Sequence, residues 1–180
     1  FSRDGRHLVT AAEDHGIRLW DTRTGTLATE PVKLPSRILD VTFSPATNRF
    51  ITATAGGEIT LWNIPDLKPV GLFPHAFETI VAAKYSPSGD RLLVALADGQ
   101  ISILPTGVET VETVNFHAQN RTLKAGFDPT GKQIVTIGGD KTLRFWNAES
   151  GEQMGSEERI GGPGPPFAIG ARFSPDGTKL

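Results

Sequence analysis

Hydrophobic and polar residues alternate in short runs along most of the chain. In the run from residue 17 to 21, Ile17 and Leu19 fall on one side of an extended strand, while Arg18 and Trp20 fall on the other. Such runs are separated by turn residues, because Pro fixes φ and Gly accepts a positive φ. No segment shows a sustained helical period. The pattern therefore predicts an all-β protein built from short antiparallel strands.

The runs belong to an internal repeat. A strand phrase ends in Trp at positions 20, 62 and 146 and in Leu at position 104, so that the four copies lie 42 residues apart. A second phrase, an aromatic residue at the start of a tight turn, begins at positions 1, 43, 85, 127 and 173, with three steps of 42 and one of 46. Three clear strands and a looser outer strand fit into each repeat. This is the size of one four-stranded propeller blade.

The Trp-Asp ending, the Phe-Ser-Pro-Asp-Gly turn and the repeat length resemble the WD-repeat family of β-propellers. The resemblance covers essentially the whole chain and implies a β-propeller of four-stranded antiparallel blades. It places units at about 1–36, 37–78, 79–120 and 121–166, and the start of another at 167–180. We expect the four blades to be part of a larger ring of about seven. The alternative is a four-bladed ring in which residues 168–174 supply the inner strand that the first unit lacks.

The resemblance also implies a hydrogen-bonded set of His, Ser or Thr, Asp and Trp within each blade. The matching positions in the four units are Thr10, Asp14 and Trp20; Thr52 and Trp62; His75 and Asp98; and His117, Thr136, Asp140 and Trp146. In the third unit the apolar residues Val94 and Leu104 replace the hydroxyl and the indole, so neither needs a partner. We expect this set to be structural, because a buried Asp must be paired and a buried indole N–H needs an acceptor.

Composition excludes several classes of function. The net charge is −2 and the Lys and Arg residues are scattered, which argues against nucleic acid as a partner. The absence of Cys excludes disulfides and thiolate metal sites, and favours a reducing compartment such as the cytoplasm. No apolar run in this piece reaches the length of about 18 residues that a membrane span requires.

Candidate chemistry is sparse. The four His residues show no metal-binding spacing, and no Ser stands in a Gly-x-Ser-x-Gly phrase. Asp14, Asp98 and Asp140 could converge on a central channel and hold a metal, but their fixed place in the repeat favours a structural role. The Pro- and Gly-rich run at 161–166 is expected to be a connector. We therefore predict no catalytic residue, no cofactor and no metal site.

The leading hypothesis is a non-enzymatic scaffold that binds other proteins or peptides. The resemblance implies a binding face made by the turn before the Trp strand and by the loop before the innermost strand. The residues at these places are Glu13, Arg37, Phe77, Arg121 and Phe167. Two alternatives remain open: a sensor or regulatory part of a larger signalling enzyme such as a bacterial protein kinase, and a propeller hydrolase with a channel metal.

Overall fold

The computed structural model describes residues 1–73, 78–107, 113–160 and 173–174, and all regular structure in these ranges is β. Sheet A contains β1 (His7–Ala11), β2 (Gly16–Asp21), β3 (Thr26–Leu27) and β4 (Val32–Lys33). Sheet B contains β5 (Ile38–Phe43), β6 (Arg49–Thr54), β7 (Ile59–Asn63) and β8 (Pro69–Leu72). Sheet C contains β9 (Ile80–Tyr85), β10 (Arg91–Leu96), β11 (Gln100–Pro105) and β12 (Val114–His117). Sheet D contains β13 (Thr122–Phe127), β14 (Gln133–Gly138), β15 (Thr142–Asn147) and β16 (Gln153–Arg159).

Sheets B, C and D are antiparallel meanders in which each strand is bonded to the next one along the chain. Short turns join the strands, and Gly supplies the positive φ that these turns require, as at Gly89 (79°) and Gly131 (73°). Four antiparallel sheets of this size confirm the predicted all-β class with four-stranded, blade-sized sheets. Within the described ranges, no helix is long and apolar enough to cross a membrane.

Sheet A departs from the pattern of the other three. Both β3 and β4 pair with β2, so that they form one outer strand interrupted at residues 28–31. The interruption contains Pro31, which has no N–H to donate to a neighbouring strand. Strand β1, which is equivalent in the repeat to β6, lies at the edge of its sheet in the part of the chain that the structure describes.

The chain divides into two compact units, Phe1–Ala83 and Lys84–Leu180, with the boundary inside β9. In the first unit, apolar side chains of sheets A and B form one buried cluster. Its fully or nearly fully buried members are Ile17, Leu19, Phe50, Trp62, Ile64 and Leu67. These residues come from both sheets, so neither sheet shields its apolar face alone.

In the second unit, sheets C and D are joined by an aromatic contact and by one arginine. The ring of Phe116 lies 4.8 Å from that of Trp146. The guanidinium of Arg91 donates hydrogen bonds to the carbonyls of Gly131 (2.7 Å) and Ala148 (3.2 Å). The two sheets are therefore joined by a contact between side chains and by hydrogen bonds from a side chain to the backbone.

Candidate interaction surface

Each of the three Trp residues donates a side-chain hydrogen bond to a Thr ten positions earlier in the chain. The indole Nε1 donates to Thr Oγ1 at 2.9 Å in each of three sheets: Trp20 to Thr10, Trp62 to Thr52, and Trp146 to Thr136. The register explains the contact, because the two residues stand on adjacent strands and on the same face of the sheet. Each bond satisfies an indole that would otherwise lose its partner on burial.

Asp140 lies in the turn between β14 and β15, where Arg144 is its main partner. Both terminal guanidinium nitrogens of Arg144 donate to the carboxylate, the closer one at 2.8 Å, and Asn120 Nδ2 donates to it at 2.8 Å. The Arg144 side chain is only 4% exposed and also contacts the carboxylate of Glu157 at 2.7 Å. The hydrogen bonds from Arg144 hold the pKa of Asp140 well below its usual range.

Asp14 repeats this arrangement in sheet A. Its carboxylate accepts from Arg18, four residues later on β2, and from the backbone N–H of Gly16. The hydrogen bond from Arg18 is the largest cause that lowers the pKa of Asp14 to about 2. Asp98, in the equivalent turn of sheet C, accepts from the backbone N–H of Gln100 at 2.9 Å. Ser102 occupies the position that Arg18 and Arg144 hold in the other two sheets.

The arrangement around His117 differs from the one that the resemblance implies. His117 is exposed, and its Nδ1 accepts from the backbone N–H of Gln119 at 3.1 Å, whereas Asp140 is occupied by Arg144. A bidentate guanidinium meets both carboxylate oxygens, which one imidazole nitrogen does not do. His75 lies outside the described residues.

Sequence reasoning missed Arg18 and Arg144 as the partners of Asp14 and Asp140. A signal was present, because both Arg residues stand two positions before a Trp, in the two units whose Asp stands six positions before the same Trp. The spacing places Asp and Arg four residues apart across the start of a strand. That arrangement brings a turn carboxylate next to a side chain of the strand that follows.

In the first unit, the connector between sheets A and B (residues 34–37) bonds the turns on both of its sides. Its first residue, Leu34, donates its N–H to the carbonyl of His15 at 2.9 Å, and Ala55 donates to the carbonyl of Arg37 at 2.8 Å. Gly56 also donates its N–H to Ser36 Oγ at 3.0 Å. The connector and the two turns therefore form one continuous rim at this end of the strands.

In the second unit, the connector between sheets C and D (residues 118–121) makes the same bonds 84 residues, or two repeats, later. Ala118 donates to the carbonyl of Gly99 at 2.8 Å, and Gly139 donates to the carbonyl of Arg121 at 2.7 Å. Asn120 stands where the first unit has Ser36, and it contacts Asp140 where the first unit has Gly56. Each unit thus carries a connector held by equivalent backbone hydrogen bonds at its two ends.

The predicted binding residues that the structure describes project from these rims. Glu13, Arg37 and Arg121 are exposed, and within the described ranges none of them forms an ion pair. Phe77 and Phe167 lie outside the described residues. Among the residues that are described, no group of three or more His, Asp or Glu is placed to hold a metal ion.

Thr122, the first residue of β13, has a buried hydroxyl without a hydrogen-bond partner among the described residues. Its repeat equivalents Ile38 and Ile80 are apolar. Replacing Thr122 with Val keeps the shape and removes the unpaired hydroxyl, so we expect the free energy of unfolding to rise by about 1 kcal/mol. Urea denaturation followed by circular dichroism measures this change.

The matched control is Thr136→Val, which removes the acceptor of the Trp146 indole and is expected to lower the free energy of unfolding by about 1–2 kcal/mol. A loss of stability in Thr122→Val similar to that in Thr136→Val would show that the Thr122 hydroxyl has a partner in solution.

Comparison with protein families gives one match. A family model described as "WD domain, G-beta repeat" matches residues 1–21 and 109–147. The first matched range ends at Asp21, directly after Trp20, and the second ends at Asn147, directly after Trp146. The matches therefore end at equivalent positions of the repeat, at the ends of β2 and β15.

Three curated relatives illustrate what the chain is similar to. The WD repeat-containing protein AAC3 of Dictyostelium discoideum is 26% identical over 148 residues, which cover 79% of this chain and 30% of that protein. Polyadenylation factor subunit 2 of Candida albicans is 24% identical over 139 residues, covering 77% and 25% of the two chains. Serine-threonine kinase receptor-associated protein of Dictyostelium discoideum is 27% identical over 132 residues, covering 72% and 43%. The chain thus spans less than half the length of each of these relatives.

Proposed function

Since the chain belongs to the WD-repeat family, we propose that it serves as a non-enzymatic scaffold that binds other proteins through the rims of its two units. Several relatives carry the names of subunits of protein complexes. One relative is named as a subunit of a polyadenylation factor and another as a receptor-associated protein. These names support protein partners for this chain.

The observation that carries the proposal is the geometry of the two connectors. In each unit the backbone of the connector is bonded on both sides, so that it is rigid, while Glu13, Arg37 and Arg121 are exposed and form no ion pair among the described residues. A rigid backbone that presents exposed charged side chains loses little conformational entropy on binding. Arg is also one of the residue types that dominate protein interfaces.

Charge reversal on the rims tests the proposal. In the full chain, Arg37→Glu and Arg121→Glu are expected to reduce the amount of co-purifying partner proteins by about tenfold. Quantitative affinity capture with mass spectrometry measures the loss. The expected effect is large because a reversed charge repels the groups that the arginine attracts.

Matched controls stand at the other ends of the strands in the same units. Arg23 follows the end of β2 and Lys132 precedes the start of β14, and both are exposed. Arg23→Glu and Lys132→Glu are expected to leave capture unchanged. Equal losses in both pairs, or no loss in either pair, would rule out the rims as the binding surface.

A further inference from the structure

The rim of the second unit carries two exposed cations that no described residue neutralises. Arg121 ends the connector and Lys124 follows three positions later on β13, and neither forms an ion pair within the described ranges. Residues 113–127 contain no Asp or Glu. Of the carboxylates in the adjoining turns, Asp140 is paired with Arg144, and Asp98 accepts from the backbone of Gln100.

A β-bulge places Lys124 at the surface. The register of β13 against β14 shifts between Thr122 and Lys124, which breaks the two-residue alternation of the strand. Thr122 is buried whereas Lys124 is exposed, although both would face the same side of a regular strand. The bulge therefore turns the ammonium group away from the buried face.

The backbone of Arg121 is held in place before any partner arrives. Its carbonyl accepts the N–H of Gly139 at 2.7 Å. A side chain at Gly139 would lie 3.6 Å from the Cβ of Arg121, so the glycine keeps the space beside the arginine stem open. A fixed backbone reduces the conformational freedom that is lost on binding.

The residue between the two cations is not optimised for stability. The hydroxyl of Thr122 is buried and has no partner among the described residues, at a position where the other inner strands carry Ile38 and Ile80. Native proteins rarely bury an unpaired polar atom, and such departures concentrate at functional segments. This is a second feature, besides the charges, that sets 121–124 apart.

The first unit provides an internal comparison. Arg37 occupies the position equivalent to Arg121, and β5 has the same register shift, but Asp40 stands where the second unit has Lys124. Glu13 likewise stands where the second unit has Ala97. At these two repeat positions the first unit thus has carboxylates, where the second unit has a cation and an uncharged residue.

We propose that residues 121–124 bind an acidic segment of a protein partner, with Arg121 and Lys124 each contacting a carboxylate; this inference rests on the proposed function and names the class of partner. The two residues span about 10 Å of extended chain, so carboxylates spaced by a few residues in an extended segment reach both. Arg meets a carboxylate bidentately, while Lys acts as a point charge. Nucleic acid is disfavoured because the chain has a net charge of −2, and phosphate binding needs many cations.

Fluorescence anisotropy with labelled peptides of equal length tests the inference on the full-length protein. The probes are a Glu-Gly repeat, a Lys-Gly repeat, a Ser-Gly repeat and a single-stranded oligothymidine. We expect binding of the Glu-Gly peptide alone, with affinity reduced about tenfold in the double variant Arg121→Glu, Lys124→Glu. The matched double variant Arg23→Glu, Lys132→Glu, at the other ends of the strands, is expected to change the affinity by less than about twofold.

Conservative variants distinguish a loss of binding from a loss of folding. Arg121→Lys keeps the charge but loses the bidentate contact, and it is expected to weaken binding less than Arg121→Gln, which removes the charge as well. Circular dichroism checks that all variants are folded. The inference is overturned if the wild-type protein does not bind the Glu-Gly peptide, if the control variant Arg23→Glu, Lys132→Glu loses as much affinity as Arg121→Glu, Lys124→Glu, or if oligothymidine binds more tightly than the peptide.

The capture experiment and the peptide-binding experiment test different claims, so their negative results can be distinguished. If capture of partners depends on Arg37 and Arg121 but the Glu-Gly peptide does not bind, the inference about an acidic segment is wrong and the scaffold function stands. If capture is the same with and without the rim substitutions, the proposed function itself fails.

Discussion

Replacing Trp146 with Ala is expected to lower the free energy of unfolding by about 3–5 kcal/mol. The indole is 3% exposed, its N–H donates to Thr136, and its ring lies 4.8 Å from that of Phe116 on the neighbouring sheet. Alanine leaves a cavity between sheets C and D and an unpaired Thr136 hydroxyl. Urea denaturation followed by far-ultraviolet circular dichroism, which does not depend on the lost fluorophore, measures the change.

Two further variants calibrate this result. Arg121→Ala removes an exposed side chain and is expected to change the free energy of unfolding by less than about 0.5 kcal/mol. Trp20→Ala is expected to cost less than Trp146→Ala, because Trp20 is only partly buried although it makes the same hydrogen bond. An Arg121→Ala loss as large as that of Trp146→Ala would contradict the assignment of buried and exposed positions.

Replacing Asp140 with Ala is expected to cost about 2–3 kcal/mol at neutral pH. The Arg144 side chain is 4% exposed and, among the described residues, would keep only Glu157 as a charged partner, while Asn120 would lose the acceptor of its side-chain N–H. The figure lies below that for a fully buried pair because Asp140 is itself 28% exposed. Asp14→Ala removes the equivalent pair in a more exposed place and is expected to cost much less.

The cost of Asp140→Ala is expected to depend on pH. Arg144 lowers the pKa of Asp140 in the folded protein below the ordinary value of 3.8, so the carboxylate stabilises the fold fully above that value. The stabilisation is lost as the pH falls below 3.8 and through the lower pKa of the folded state. Denaturation midpoints of the wild type and Asp140→Ala should therefore converge in acid; a constant difference between neutral pH and pH 3 would exclude the charged pair as the cause.

The β-sheet architecture was predictable because it follows from a repeat that the sequence displays directly. Trp20, Trp62 and Trp146 stand at one register position, and the structure gives each the same Thr partner at the same distance. Alternation sets which side chains share a face, and the turn residues set where strands end. Both are local properties of the chain.

The partners of the polar side chains were harder to predict, because several donors lie near each carboxylate and the sequence does not show which of them forms the hydrogen bond. In the sequence, His117 and Arg144 are both possible partners of Asp140. Only the structure shows that the Arg144 guanidinium donates to both carboxylate oxygens, while His117 accepts from the backbone of Gln119. The exposure of Lys124 depends on a bulge, and a strand of six residues is too short for its phase shift to be recognised in the hydrophobic pattern. The break in the outer strand of sheet A has a local signal in Pro31, which sequence reasoning did not use.

The two connectors share the hydrogen bonds at their ends but not the backbone between them. Residues 34–37 and 118–121, which lie two repeats apart, each begin with an N–H donated to the preceding turn and end with a carbonyl that accepts from the following turn. Between these bonds, Gln119 has a φ of 62°, which Pro35 at the equivalent position cannot adopt because its ring fixes φ at about −65°. Exchange of the whole loops would therefore strain the second connector, whereas exchange of single exposed residues keeps both end bonds.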